Sequence, residues 1–255
     1  MIHPTAIIDP GAELAATVSV GPYSVIGADV IIYEGTTIGP HVVIQGPTRI
    51  GRDNRIFQFC SLGEEPQDKK YRGEPTELVI GDRNVIREYC TFNRGSVQGT
   101  GSTSVGSDNW IMAYVHIAHE CTVGDDTVFA NGASLAGHVH VEDCAILGGF
   151  TLVHQFVRVG AYSFSGMGSG LLHDLPPYVM VSGNPAQPHG LNTEGLHRRG
   201  FDKDRIARLR WAYRTLYRDG LRLEEAIAEL ETQGAHAEIR RLIDFLKHSK
   251  RSIVR

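Results

Sequence analysis

An aliphatic residue or Phe recurs at every sixth position over most of this chain. From the N-terminus the slots are Ile2, Ile8, Leu14, Val20, Ile26, Ile32, Ile38, Ile44, Ile50, Ile56 and Leu62, and from Val105 they run on through Ile111, Ile117, Val123, Phe129, Leu135, Val141, Leu147, Val153 and Val159. A strand repeats every two residues and a helix every 3.6, so a strict period of six belongs to neither. It is the signature of a parallel β-helix, in which each hexad supplies one short strand and one corner. Gly follows many slots, as at Gly21, Gly39, Gly51, Gly106, Gly124 and Gly148, where the missing Cβ eases a tight corner.

Two interruptions stand out. After Leu62 the polar stretch GEEPQDKKYRGEPTE intervenes before the slots resume at Ile80, Ile86 and Phe92, and RGSVQGTGSTS after Asn93 shifts the register before Val105. Both read as loops thrown from a corner, near residues 63–79 and 94–104, and such loops tend to carry function. Beyond Val159 the slot weakens to Ser165 and Leu171, and VSGNPA at Val181–Ala186 reads as a terminal coil. The period then changes. Asp202 begins a helix with Ile206, Leu209, Tyr213, Leu216 and Tyr217 on one face, followed by segments carrying Leu223, Ile227 and Leu230, then Ile239, Leu242, Ile243 and Leu246. The expected organisation is a β-helix over residues 1–190 and a helical domain over 191–255 that covers one end of it.

The apolar residues are spread at intervals of six, leaving no run that would span a bilayer, and the N-terminus lacks a basic region followed by an apolar block. A cytoplasmic protein is expected. Cys60, Cys90 and Cys121 each fall four places after a slot, a position otherwise held by small residues, and so read as buried thiols of a reducing compartment. Cys144 falls outside that position. The net charge of −4 hides an asymmetry: residues 1–190 carry 10 Lys/Arg against 19 Asp/Glu, and residues 191–255 carry 15 against 10. The basic bias peaks within Arg198–Arg222, Arg205 and Arg208 included, where an acidic partner would dock.

His119, His138 and His154 lie in hexads beginning at Ile117, Leu135 and Val153. If three hexads make one triangular turn, these side chains stack on one flank at the inter-strand spacing of roughly 4.8 Å. A single His at a corner is unremarkable, but the aligned set, with His116 one corner away, points to a cleft.

The motifs HIAHECTVG at His116–Gly124, LAGHVHV at Leu135–Val141, VHQF at Val153–Phe156, QDKKYRGEPT at Gln67–Thr76 and NTEGLHRRGF at Asn192–Phe201 carry a resemblance. Together, in this order over nearly the whole chain, they resemble the acyl-ACP:UDP-N-acetylglucosamine O-acyltransferases of lipid A biosynthesis, a hexapeptide-repeat acyltransferase family. The resemblance implies a mainly β fold, a left-handed parallel β-helix followed by helices, assembled as a homotrimer with active sites between subunits. It implies transfer of a 3-hydroxyacyl group from acyl carrier protein to the 3-hydroxyl of the GlcNAc in UDP-GlcNAc, the first step of lipid A biosynthesis. His119 matches the general base, a role His fills well near neutral pH. Gly137 matches the backbone N–H that meets the oxyanion. Asp68, Lys70, His116, His138, His154 and Gln155 match contacts to sugar, diphosphate or acyl groups, and Asn192, Glu194, Arg198 and Arg199 match positions that hold uridine and phosphates. Met167 matches the far end of the acyl groove, one coil beyond the histidines, where Gly admits long chains; Met there implies a donor of about ten carbons. No cofactor, metal, nucleic-acid partner or membrane insertion is implied.

The chain departs from the family pattern at Glu120, where an Asp usually follows the base, at Asn93, which replaces a His, and at Lys69, which replaces an apolar residue. A different reading of the histidines is a γ-type carbonic anhydrase-like β-helix, in which His116, His119, His138 and His154 would be zinc ligands. The basic tail and the RRGF segment have no purpose in that reading.

Overall fold

A computed structural model describes the whole chain, Met1–Arg255. Short parallel strands form three sheets, of 9, 8 and 9 strands over residues 7–182, that wrap into a triangular prism, a left-handed parallel β-helix. One coil takes three hexads: Ile7 pairs with Val25 and Val25 with Val43 on the first face, while Leu14 pairs with Ile32 on the second and Val20 with Ile38 on the third. The slot residues point inward and are almost all buried, forming one continuous core that includes Ile44, Leu62, Phe92, Ile117, Leu135, Val141 and Leu147. Burying a side chain of this size stabilises the fold by about 1.5–3 kcal/mol. The period is thus maintained by the core. Cys60, Cys90 and Cys121 are buried as expected, and Cys144 is half-buried.

Most corners turn through a residue with positive φ, three places after the slot, among them Asp126, His138 and Tyr162. Side chains at equivalent corner positions therefore stand in columns along the prism. Where the slot weakens, the hydroxyl of Ser165 is buried and lies 2.9 Å from that of Thr151.

The two insertions leave the same corner, between the first and second faces. Strands Ser61–Glu64 and Glu77–Ile80 bound residues 65–76, and strands Thr91–Asn93 and Ser102–Val105 bound residues 94–101, so both loops are shorter than the sequence pattern suggested. The parallel stack ends at Val179–Ser182, and Gln187–Leu191 folds back antiparallel along it, which covers the sheet edge.

Four helices follow: α1 (Thr193–Arg198), α2 (Lys203–Tyr217), α3 (Leu223–Glu231) and α4 (Ala237–Lys247). The Asp202 carboxylate caps α2 by accepting from the Arg205 N–H at 2.8 Å. A second core joins Leu196, Phe201, Ile206, Leu209, Leu216, Leu230, Leu242 and Leu246 to Tyr178 at the end of the prism. The last residues return to the β-helix, where buried Asp174 accepts from the Ser249 hydroxyl at 2.6 Å and from the Arg158 N–H at 2.8 Å. No helix is long and apolar enough to cross a membrane.

Candidate active site

The corner between the first and second faces carries a cleft of about 690 Å³ lined by Gln67, Asp68, Lys69, Lys70, Gln98, His119, His138, Gln155 and Phe156. Coil geometry explains the gathering. His119, Gly137 and Gln155 occupy one corner column, and Glu120, His138 and Phe156 the next, while the two inserted loops rise from the same corner on the coils below. The histidines therefore share a flank without stacking on one another. His119 meets His138 edge-on at 5.2 Å between ring centroids, and His138 stacks on Phe156 at 4.4 Å.

Gly137 is where this corner requires a glycine. A Cβ on it would lie 2.7 Å from Cε1 and 2.8 Å from Nε2 of His119, so the imidazole rests directly against the Gly137 backbone. The Gly137 N–H makes no hydrogen bond within the chain. Nδ1 of His119 is buried without a partner, which leaves Nε2 facing the cleft. No carboxylate orients the ring. The Glu120 side chain instead accepts from the Ser96 N–H, from the Thr100 N–H at 2.5 Å and from the Thr100 hydroxyl at 3.0 Å. Burial opposes its ionisation, but these donors prevail and hold the carboxyl below the usual carboxylate range.

Burial, reinforced by the neighbouring His119, pushes His138 below the ordinary histidine range, against the pull of Glu120 and Asp68. Burial likewise lowers His116, whose Nδ1 lies 2.7 Å from the Thr91 hydroxyl on the outer surface of the first face. Both rings favour the neutral form near His119.

The first loop is tied down by the residues that follow Phe92. Asn93 is buried and donates from Nδ2 to the Glu65 carbonyl at 2.9 Å, so it serves as a tether. Arg94 donates to the Gly63 carbonyl at 2.8 Å and to the Tyr71 hydroxyl at 3.1 Å. Asp68 accepts from the Lys70 N–H at 3.0 Å, and neither Lys69 nor Lys70 has an ion-pair partner. Lys69, the departure from an apolar family residue, lines the cleft.

Other expected site residues lie elsewhere in the chain. His154 does not line the cleft; its Nδ1 is 3.0 Å from a guanidinium nitrogen of Arg251. Asn192, Glu194, Arg198 and Arg199 gather at the corner between the second and third faces. There Asn192 caps α1 and donates to the Tyr162 carbonyl at 3.0 Å, so its amide is occupied. Arg199 pairs with Asp126 at 3.1 Å, and Glu194 with Arg198 at 3.1 Å. Met167 stands at the third corner, 82% exposed. Gln67, Gln98, Phe156 and Arg251 were not singled out from the sequence. Phe156 could have been found by counting one coil on from His138, whereas Gln98 carries no such signal. No three His, Cys, Asp or Glu side chains converge as a set of metal ligands within the chain.

A β-helix with an imidazole-lined corner cleft defines a class, the hexapeptide-repeat transferases, and the bacterial transferase hexapeptide profile matches residues 102–137. The profile of the UDP N-acetylglucosamine O-acyltransferase second domain matches residues 174–254. The acyl-[acyl-carrier-protein]–UDP-N-acetylglucosamine O-acyltransferase of Thiobacillus denitrificans is 60% identical over 100% of this chain and 99% of its own length, and that of Halorhodospira halophila is 59% identical over the same shares. Among solved structures, UDP-N-acetylglucosamine O-acyltransferase of Moraxella catarrhalis superposes with a TM-score of 0.97 at 49% identity, covering 100% of this chain and 99% of that one. The Francisella novicida enzyme gives 0.98 at 41% identity, covering 100% and 94%. The chain belongs to the acyl-[acyl-carrier-protein]–UDP-N-acetylglucosamine O-acyltransferase family.

Proposed function

We propose that this protein transfers a 3-hydroxyacyl group from acyl carrier protein to the 3-hydroxyl of the GlcNAc of UDP-GlcNAc, with His119 as general base. The observation that carries this reading is the bare contact of the cleft-lining His119 with Gly137, an imidazole set against a backbone whose N–H is unengaged. Nε2 removes the hydroxyl proton as the oxygen attacks the thioester carbonyl, and the Gly137 N–H stabilises the oxyanion. Collapse expels the carrier thiolate, which takes up the proton and leaves an ester on the sugar. Lys69 and Lys70 supply cations for the diphosphate.

The Arg199 cluster and Met167 reach this cleft only across a boundary between copies. His119, Arg199 and Met167 occupy three different corners of one prism, so a single chain does not join them. A homotrimer about an axis parallel to the β-helix brings corners of neighbouring copies together. An exposed ladder of Tyr23, His41, Phe59, Tyr89 and Tyr114, with rings 4.9–5.2 Å apart, runs up the Met167 corner and supports a covered apolar edge there. In that assembly Met167 limits the acyl groove, giving preference for a donor of about ten carbons. A carrier-protein donor and unpaired buried thiols suit the cytoplasm.

The test is incubation with UDP-GlcNAc and a panel of 3-hydroxyacyl carrier proteins, followed by product mass. A mass increase matching one 3-hydroxyacyl ester supports the reading. Absence of product, or stoichiometric zinc in the purified active protein, overturns it.

A further inference from the structure

Residues 94–101 form a polar loop containing Gly95, Gly99 and Gly101, a composition with much backbone freedom to lose on ordering. Its two ends are tied through the backbone to Glu77, and one side chain holds its middle. The buried Glu120 carboxylate takes the N–H groups of Ser96 and Thr100 and the Thr100 hydroxyl, so both of its oxygens are engaged by the loop. Gly99 packs directly onto that carboxylate, and a Cβ there would collide with it. Glu120 also follows His119 in the chain, so one corner sets both the base and the loop.

What the loop delivers is Gln98. Its side chain makes no hydrogen bond within the chain and lines the cleft with His119, His138, Asp68 and Lys70. Cations are matched to a diphosphate and the imidazole to the attacking hydroxyl. A primary amide both donates and accepts, and its complement is another amide. The acceptor sugar carries one, the acetamido group on the carbon next to that hydroxyl.

We propose that Glu120 is a positioning residue that fixes the 94–101 loop so that Gln98 hydrogen-bonds the 2-acetamido group of the UDP-sugar. This rests on the reaction proposed above. A contact made to the sugar and absent from the nucleotide has a distinctive consequence: its loss weakens UDP-GlcNAc and leaves UDP alone. One lost pair of hydrogen bonds corresponds to about a tenfold change in affinity.

The experiment is titration calorimetry of the full-length protein with UDP-GlcNAc and with UDP. Gln98→Ala is expected to weaken UDP-GlcNAc about tenfold with UDP unchanged. Glu120→Gln, which replaces an acceptor with a donor facing the loop N–H groups, is expected to reproduce that selective loss, and the double variant to show no further loss. Gln67→Ala, on the other loop, should not share this non-additivity with Glu120→Gln. If Glu120→Gln fails to fold, Gly99→Ala, whose methyl group would collide with the Glu120 carboxylate, takes its place and is expected to give the same selective loss. Equal weakening of both ligands, or unchanged UDP-GlcNAc affinity in Gln98→Ala, overturns the inference while the reaction stands. Wild-type protein that acylates no UDP-GlcNAc overturns the reaction and the inference with it.

Discussion

His119 is held by packing where a carboxylate might have been expected to hold it. Its Nδ1 has no partner, the carboxylate of the next residue is turned to the loop, and the Gly137 backbone lies against the ring. His119→Ala should therefore lower kcat by roughly 10²–10⁴ with little change in unfolding midpoint, and a variant keeping over half the wild-type rate would exclude the base role. Gly137→Ala should be nearly as damaging, because its methyl group would displace the imidazole. Glu120 gives a pH prediction. Its folded carboxyl is held below the unfolded value of about 4.3, so its stabilising contribution is present above that pH and lost as pH falls through the depressed folded value. Thermal unfolding followed between about pH 5 and pH 3 should show a steeper decline for wild type than for Glu120→Gln. Equal slopes would mean that the carboxylate does not anchor the loop in solution.

At the level of elements, the helix that sequence charge marked for an acidic partner is divided between two tasks. Arg208 pairs with buried Glu238 of α4 at 2.7 Å, and Arg205 lies 3.9 Å from the same carboxylate and 3.7 Å from the Phe201 ring centre. These two arginines hold α2 to its neighbours, so they are poor probes of docking. Lys203 and Arg210, two turns apart and exposed, have no ion-pair partner. Reversing Lys203 and Arg210 to Glu should weaken acyl carrier protein binding at low salt and flatten its salt dependence, as measured by surface plasmon resonance across ionic strength. Arg208→Glu should instead cost about 1–3 kcal/mol in denaturant unfolding by stranding Glu238. The same division governs what the sequence made legible. The hexads state the strands and the buried slots because burial repeats with the chain, whereas the three-hexad coil follows only from the strand pairing; Asp202 announces α2 because its cap is local. Six-residue α1 has too few turns to show a period, and the role of Glu120 depends on a loop that returns from an earlier coil. Asn192 likewise matched a substrate contact and Asn93 stood only as a replacement for a His, and only the folded neighbours reveal that their amides are used as ties.

For the whole molecule, the placement of Met167 makes a prediction that separates one chain from an assembly. In the proposed reading it is the stop of the acyl groove, yet it projects from the corner between the third and first faces, whereas His119 lies at the corner between the first and second. A stop within one chain would have to act around the prism; a stop across a boundary acts on a neighbour's cleft. The Met side chain takes up roughly the room of four chain carbons, and denying burial to four methylenes forfeits about 3 kcal/mol, a discrimination of roughly a hundredfold. Met167→Gly should accordingly shift the donor preference from about ten carbons toward about fourteen. The decisive version uses mixed assemblies of the proposed homotrimer. Chains carrying both His119→Ala and Met167→Gly have no base of their own, so alone they should use no donor. Refolded together with wild-type chains, they should confer use of the longer donor on the neighbours' intact His119. If the mixture transfers only the shorter acyl group, while Met167→Gly alone accepts the longer one, the groove lies within a single chain and the shared site is wrong; if Met167→Gly alone leaves the preference unchanged, Met167 is not the stop.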